Sequence, residues 1–227
     1  TPDYNSKTIS GKTLITYKVI SNTQAFMQID LQQPLLIDSI VTNDELKSNF
    51  KQEENVWHVQ VPNYKLNSIN RICIYYHGTP REAVNPPWDG GWIFKKDSLG
   101  RPWMSVACQG LGASVWYPCK DHQSDEPDRG ASLSVTVPDT LIAVGNGRLK
   151  NKTSVNGLAT YIWEVKDPIN NYNIVPYIGK YVTWSDTLQG EKGSLDLNFW
   201  VLDYNLQKAQ KQFTDAKRML RAFEYWF

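Results

Sequence analysis

The chain has 227 residues, 41% of them apolar, which is enough for a packed core and argues against disorder. Its 24 Lys and Arg against 23 Asp and Glu leave a net charge of +1, so no electrostatic pull toward nucleic acid or an anionic membrane is expected. No run of about 18 apolar residues is present to span a bilayer as a helix.

The first 200 residues read as strands and turns. Ile15, Tyr17 and Val19 alternate with Leu14, Thr16 and Lys18, and Trp57, Val59 and Val61 alternate with His58 and Gln60. Leu133, Val135 and Val137 repeat the pattern, as do Tyr161, Trp163 and Val165. A period of two marks a half-buried strand. Further strands are expected at Ala25–Leu31, Leu36–Thr42, Arg71–Tyr76, Leu141–Asn146, Pro176–Trp184 and Leu195–Leu202. Ser10-Gly11, Pro62-Asn63, Asn156-Gly157 and the Gly190-Gly193 stretch supply turns between them. Many short strands without a βαβ rhythm predict a mostly β fold, an antiparallel saddle-like sandwich.

Between Asn85 and Gly112, prolines and glycines at 86, 87, 90, 91, 100 and 102 are expected to break regular structure, with Trp88, Trp92, Phe94 and Trp103 interleaved. A loop of that length is functional or structurally specialised. After Asp203, Leu206, Ala209, Phe213, Ala216, Leu220, Phe223 and Phe227 follow spacings of three and four, which predicts one carboxy-terminal amphipathic helix. Asp203 or Asn205 is its expected amino-terminal cap. A chain that opens at Thr1 and stops at Phe227 inside this pattern is expected to be a piece of a longer protein.

No complete catalytic constellation is visible. The three histidines, His58, His77 and His122, are too far apart for an H-E-x-x-H zinc helix, and Cys73, Cys108 and Cys119 lack zinc-ribbon spacing. His58 and His77 read as solvated strand residues, and the cysteines as small hydrophobes or an incidental pair. Gly110-Leu111-Gly112 lacks the lysine and spacing of a phosphate loop. Asp121, Asp125, Glu126 and Asp128 leave open a glycosidase with paired carboxylates, which requires two carboxyls about 5–10 Å apart across a cleft. A stand-alone carbohydrate- or protein-binding module is also open, with Trp88, Trp92 and Trp103 as stacking platforms.

The string from Cys108 to Asp121 resembles the amino-terminal domain of the gluzincin zinc aminopeptidases, the family of aminopeptidase N and leukotriene hydrolase. Gln109 precedes Pro118 by nine residues, an acid follows at Asp121, and Asp125-Glu126-Pro127 is similar to the family's Asp-Glu-Pro triplet. Thr8 through Tyr17, Ile29-Asp30-Leu31, Leu36 to Ile40, Leu133 to Gly147 and Phe223 to Phe227 extend the resemblance over nearly the whole chain. Two departures stand out. The Pro118 to Pro127 interval is longer than the usual form, so Asp121 or Asp125 is the matching acid, and Gln109 stands where many members carry glutamate.

The resemblance implies an amino-terminal β domain over residues 1–190, with 191–227 opening the catalytic domain that supplies the zinc ligands. Gln109 and Gly110 are the implied substrate-binding residues of an enzyme that removes amino-terminal residues from peptides. The implied partners are a peptide and the chain's own catalytic domain. Zinc would belong to the full-length enzyme. No catalytic or metal-binding residue is assigned to this chain, and by itself it is expected to be inactive. The tryptophan-rich loop looks like a subgroup trait, and the subgroup resemblance implies a bacterial periplasmic or secreted enzyme.

Overall fold

The computed structural model describes residues 1–227 except 22–25, 44, 45 and 63, and only the backbone of residue 46. Five antiparallel sheets account for the strands. The largest runs Pro2–Asp3, Thr8–Lys18, Ile69–Gly78, Leu36–Thr42, Leu46–Lys47 in spatial order. Thr8–Lys18 pairs with Ile69–Gly78 from Ile9 opposite Gly78 to Lys18 opposite Ile69. Along it Ile15 and Tyr17 are half-buried while Leu14, Thr16 and Lys18 face water, as the alternation requires. Phe26–Asp30, Val56–Gln60 and Phe50–Glu53 form a second, smaller sheet. Ala25 of the expected Ala25–Leu31 strand lies outside the described residues, and so does Asn63 of the Pro62-Asn63 turn.

Leu158–Val165 is the centre of a third sheet, between Ala131–Pro138 and Arg148–Val155. Asn156 and Gly157 join two of its strands, both with positive φ, the backbone of a tight two-residue hairpin. A fourth sheet orders Ile142–Val144, Tyr177–Gly179, Pro102–Ala107 and Gly91–Lys96. The expected strand over Pro176–Trp184 is divided at Lys180, with Tyr177–Gly179 in this sheet and Tyr181–Gly190 opening the long hairpin with Gly193–Leu202.

The 85–112 segment corrects the sequence reading. Pro86, Pro87 and Gly90 lie in the loop that leads in, but the rest of the segment to Ala107 is two strands that its glycines and Pro102 bound rather than break. Gly91 opens one, Gly100 lies in the turn, Pro102 opens the next, and Trp92, Phe94, Met104 and Val106 point into the core. These residues join a single core cluster with Ile9, Trp57, Ile72, Ile74, Trp116, Val135, Tyr161, Trp163 and Ile178, drawn from four sheets. Truncating a core aromatic there would cost about 3–5 kcal/mol.

Buried and half-buried indoles also tie the layers together. Trp57 donates to Leu31 O at 3.2 Å, Trp163 to Ala143 O at 2.9 Å and Trp103 to the Tyr181 hydroxyl at 2.8 Å. Packing therefore explains most of the tryptophan content.

The carboxy-terminal helical run is present, with short 3-10 turns at Asp203–Asn205 and Phe213–Asp215 around the α-helices Leu206–Gln212 and Ala216–Trp226. Trp184, Phe199 and Phe213 stack at 4.9–6.0 Å and mount it on the long hairpin. Neither Asp203 nor Asn205 caps the α-helix through its side chain. Asp203 is instead claimed by Arg101, at 2.7 and 2.5 Å. The position 190/191 falls in the turn of the hairpin.

Candidate functional site

The strand Pro102–Ala107 delivers the chain to Cys108, where it reverses. The N–H groups of Leu111 and Gly112 both donate to Cys108 O, at 3.1 and 2.9 Å, so Gln109 and Gly110 form the apex of a tight turn. Both are exposed. Gly110 has a φ of 70°, where a side chain would strain the backbone. The 3-10 turn Ala113–Val115 follows and is buried.

Two side chains hold this turn from behind. Gln32 Nε2 donates to Leu111 O at 2.6 Å and to Ser114 Oγ at 2.9 Å, while its own N–H donates to Ser114 O at 3.0 Å. The carboxylate of Asp121 accepts from Ala113 N–H at 3.2 Å, from Ser114 N–H at 3.1 Å and from the Ser114 hydroxyl. Asp121 is itself fixed, because its N–H donates to Asp30 Oδ2 at 2.9 Å and its neighbour Cys119 exchanges two backbone bonds with Asp30.

The apex opens onto a cleft of about 1100 Å³. Gln109, Gly110, Gly112, Asp121 and Gln123 contribute its polar lining; Pro86, Pro87, Ile93, Trp103, Tyr172, Val175 and Tyr177 contribute its apolar and aromatic walls. Asp121 is the single acid and Lys95 the single base among the lining residues. Cys108 also lines the cleft, but burial, and secondarily Asp121, pushes its thiol up to about 12. It stays protonated at neutral pH and is no nucleophile.

Both predicted binding residues, Gln109 and Gly110, are therefore brought together at the cleft. The other candidates are dispersed. Asp125 accepts from Lys120 Nζ at 2.9 Å and does not share the carboxylate environment of Asp121. His77 pairs with Asp38 at 2.6 Å, His58 lies 3.5 Å from Glu53, and His122 bonds within its own turn to Ser124. The three cysteines are free, Cys73 and Cys119 buried and Cys108 half-buried.

A stacking platform of Trp88, Trp92 and Trp103 does not form. Trp92 is 2% exposed in the core, Trp103 is half-buried against Tyr181, and only Trp88, at 78%, stands in solvent. Sequence reasoning missed Gln32, which lies 79 residues from its partner Leu111 and carries no local signal. The backbone partners of Asp121 were equally invisible, because the 3-10 turn Ala113–Val115 that presents them has no sequence signal of its own.

No family model matches the sequence, and no curated protein is significantly similar to it. Solved structures do match. A two-domain M1 zinc metallopeptidase bound to L-arginine superposes with a TM-score of 0.75 at 19% identity, covering 97% of this chain and 50% of its own. The M1 zinc metallopeptidase from Deinococcus radiodurans gives 0.71 at 20% identity, covering 86% of this chain and 43% of that one. Native yeast LTA4 hydrolase gives 0.69 at 18% identity, covering 96% and 32%. The chain thus spans half or less of the length of each of these. It shares its fold with M1 zinc metallopeptidases and LTA4 hydrolase.

Proposed function

We propose that this chain forms the amino-terminal wall of the substrate cleft in a zinc-dependent aminopeptidase, and that Gln109 and Gly110 meet the free amino end of a peptide. The observation that carries this reading is the exposed Gln109–Gly110 apex at the mouth of an open cleft, on a fold shared with zinc peptidases. The amide oxygen of Gln109 can accept from a substrate ammonium, and its amide nitrogen can donate to a carbonyl. A neutral amide holds the ammonium less tightly than a carboxylate would.

Among the described residues no group of three or more His, Cys, Asp or Glu could hold a metal ion. The described residues do not fit a zinc site, so the metal and its ligands belong to the remainder of the enzyme in this reading. What the chain supplies is binding and orientation. Residues 191–227 open the catalytic domain. The apolar side chains of Met219, Phe223, Tyr225, Trp226 and Phe227, all exposed, support this, because so much apolar surface on one helix needs a covering partner.

In the complete enzyme, Gln109→Ala is expected to raise KM about tenfold with a smaller change in kcat, the cost of one hydrogen bond to a charged group. Kinetics equal to the parent enzyme would refute the binding role. The 227-residue chain alone is expected neither to hydrolyse aminoacyl reporters nor to hold stoichiometric zinc, which metal analysis of the purified chain checks.

A further inference from the structure

We propose that Asp121 is the positioning residue for the Gln109–Gly110 apex and acts on the peptide's amino end through Gln109. The inference rests on the binding role of Gln109 given above. An ionised carboxylate only accepts hydrogen bonds, and Asp121 gathers three donors from one short stretch, the N–H groups of Ala113 and Ser114 and the Ser114 hydroxyl. Such charge-assisted bonds are stronger than neutral ones and fix direction as well as distance. They pin the carboxy-terminal foot of the turn whose apex is Gln109.

The approach is made possible by Gly112. A Cβ at that position would lie 2.2 Å from the Asp121 carboxylate, and the residue has a φ of 83°. Only glycine fits both the space and the backbone. The carboxylate is anchored from the other side through Asp30, at the end of the strand Phe26–Asp30, so the turn is referenced to a sheet rather than to a surface loop. The carboxylate of Asp125, the other acid that the sequence left in contention, is bonded to Lys120 instead.

Among the described residues Asp121 is also the only acid lining the cleft, which it shares with a recognition residue that carries no charge. An ammonium arriving at Gln109 therefore meets a neutral acceptor held in place by a nearby anion.

A double-mutant cycle in the complete enzyme, with alanine p-nitroanilide as substrate, tests the proposal. Asp121→Asn is expected to raise KM about tenfold while kcat changes by less than about twofold. In the Gln109→Ala background the same substitution is expected to add almost nothing, because two residues acting as one unit are not additive. A residue with only a general structural role would lower kcat, or stability, by the same factor in both backgrounds. Additive effects, or an unchanged KM in Asp121→Asn, overturn the proposal while leaving the role of Gln109 intact. Parental kinetics in Gln109→Ala overturn both together. Should Asp121→Asn fail to fold, Ser114→Ala removes one of the three donors and is expected to give the same KM effect at smaller size, again only when Gln109 is present. An equal effect in both backgrounds would count against the proposal.

Discussion

Arg101 divides its guanidinium between two carboxylates, bonding Asp97 at 2.8 Å through Nε and Asp203 at 2.7 and 2.5 Å through the two terminal nitrogens. Its guanidinium carbon also lies 5.6 Å from the ring centre of Tyr204. Through this one side chain the turn after Gly91–Lys96 is fastened to the start of the helical run. Arg101 holds the Asp203 carboxyl below its ordinary value of 3.8. A carboxyl depressed by folding adds stability above its unfolded value and loses it as pH falls through the folded one. Asp203→Asn is therefore expected to lower the melting temperature at pH 7, and the gap to the parent chain should narrow as pH falls below the ordinary value of 3.8. Melting curves at pH 7 and pH 2.5 check this, and an equal gap at both would refute it. None of this was visible in the sequence, where Asp203 reads as a helix cap. Its true partner is 102 residues away. Gln109 was singled out through the family resemblance that its local string carries, and the structure places it at the cleft, while its binding role stands as proposed above.

At the scale of elements, alternation was a reliable guide wherever one face is core and the other solvent. Leu133 to Val137 and Tyr161 to Val165 both follow it, since each lies in a three-stranded sheet with one covered face. It failed for Gly91–Lys96, whose first four residues are all buried and so show no period of two. The loop between Ala83 and Gly91 is the part of that segment that does leave the sheet, and it is tied at its base. Arg81 bonds Gly90 O and Asp89 Oδ1, and Asp89 Oδ2 accepts from Val84 N–H at 2.7 Å. Pro86 and Pro87 then reach the cleft, and Gly90 sits so close that a Cβ would be 2.8 Å from Gln109 O. Arg81→Ala is expected to reduce hydrogen-exchange protection at Val84 about tenfold while leaving the global melting temperature nearly unchanged. Unaltered exchange at Val84 would show that the clamp does not order the loop.

Over the whole molecule, apolar surface is distributed unevenly. Four of the five sheets share one covered core, whereas the final helix Ala216–Trp226 has no buried residue. Polar contacts hold that helix in place: Lys217 bonds Asp186 at 2.7 Å, and Glu224 accepts from Glu191 N–H at 2.9 Å at the hairpin tip. The half-buried side chains Leu206, Ala209, Ala216 and Leu220 follow the helical period toward the hairpin, so the amphipathic stripe was readable from the sequence. The second apolar face was not, because Met219, Tyr225 and Trp226 fall between those positions. If, as proposed, a catalytic domain follows and covers that face, the same substitution should act differently in two contexts. In the chain alone, Phe223→Lys replaces an exposed ring and is expected to shift stability by no more than about 0.5 kcal/mol. In the complete enzyme the ring would be buried, and the same change should cost about 1.5–3 kcal/mol from lost apolar burial alone. Thermal or denaturant midpoints in both contexts decide the matter, and matching small shifts would mean that the helix face stays open to solvent in the larger protein as well.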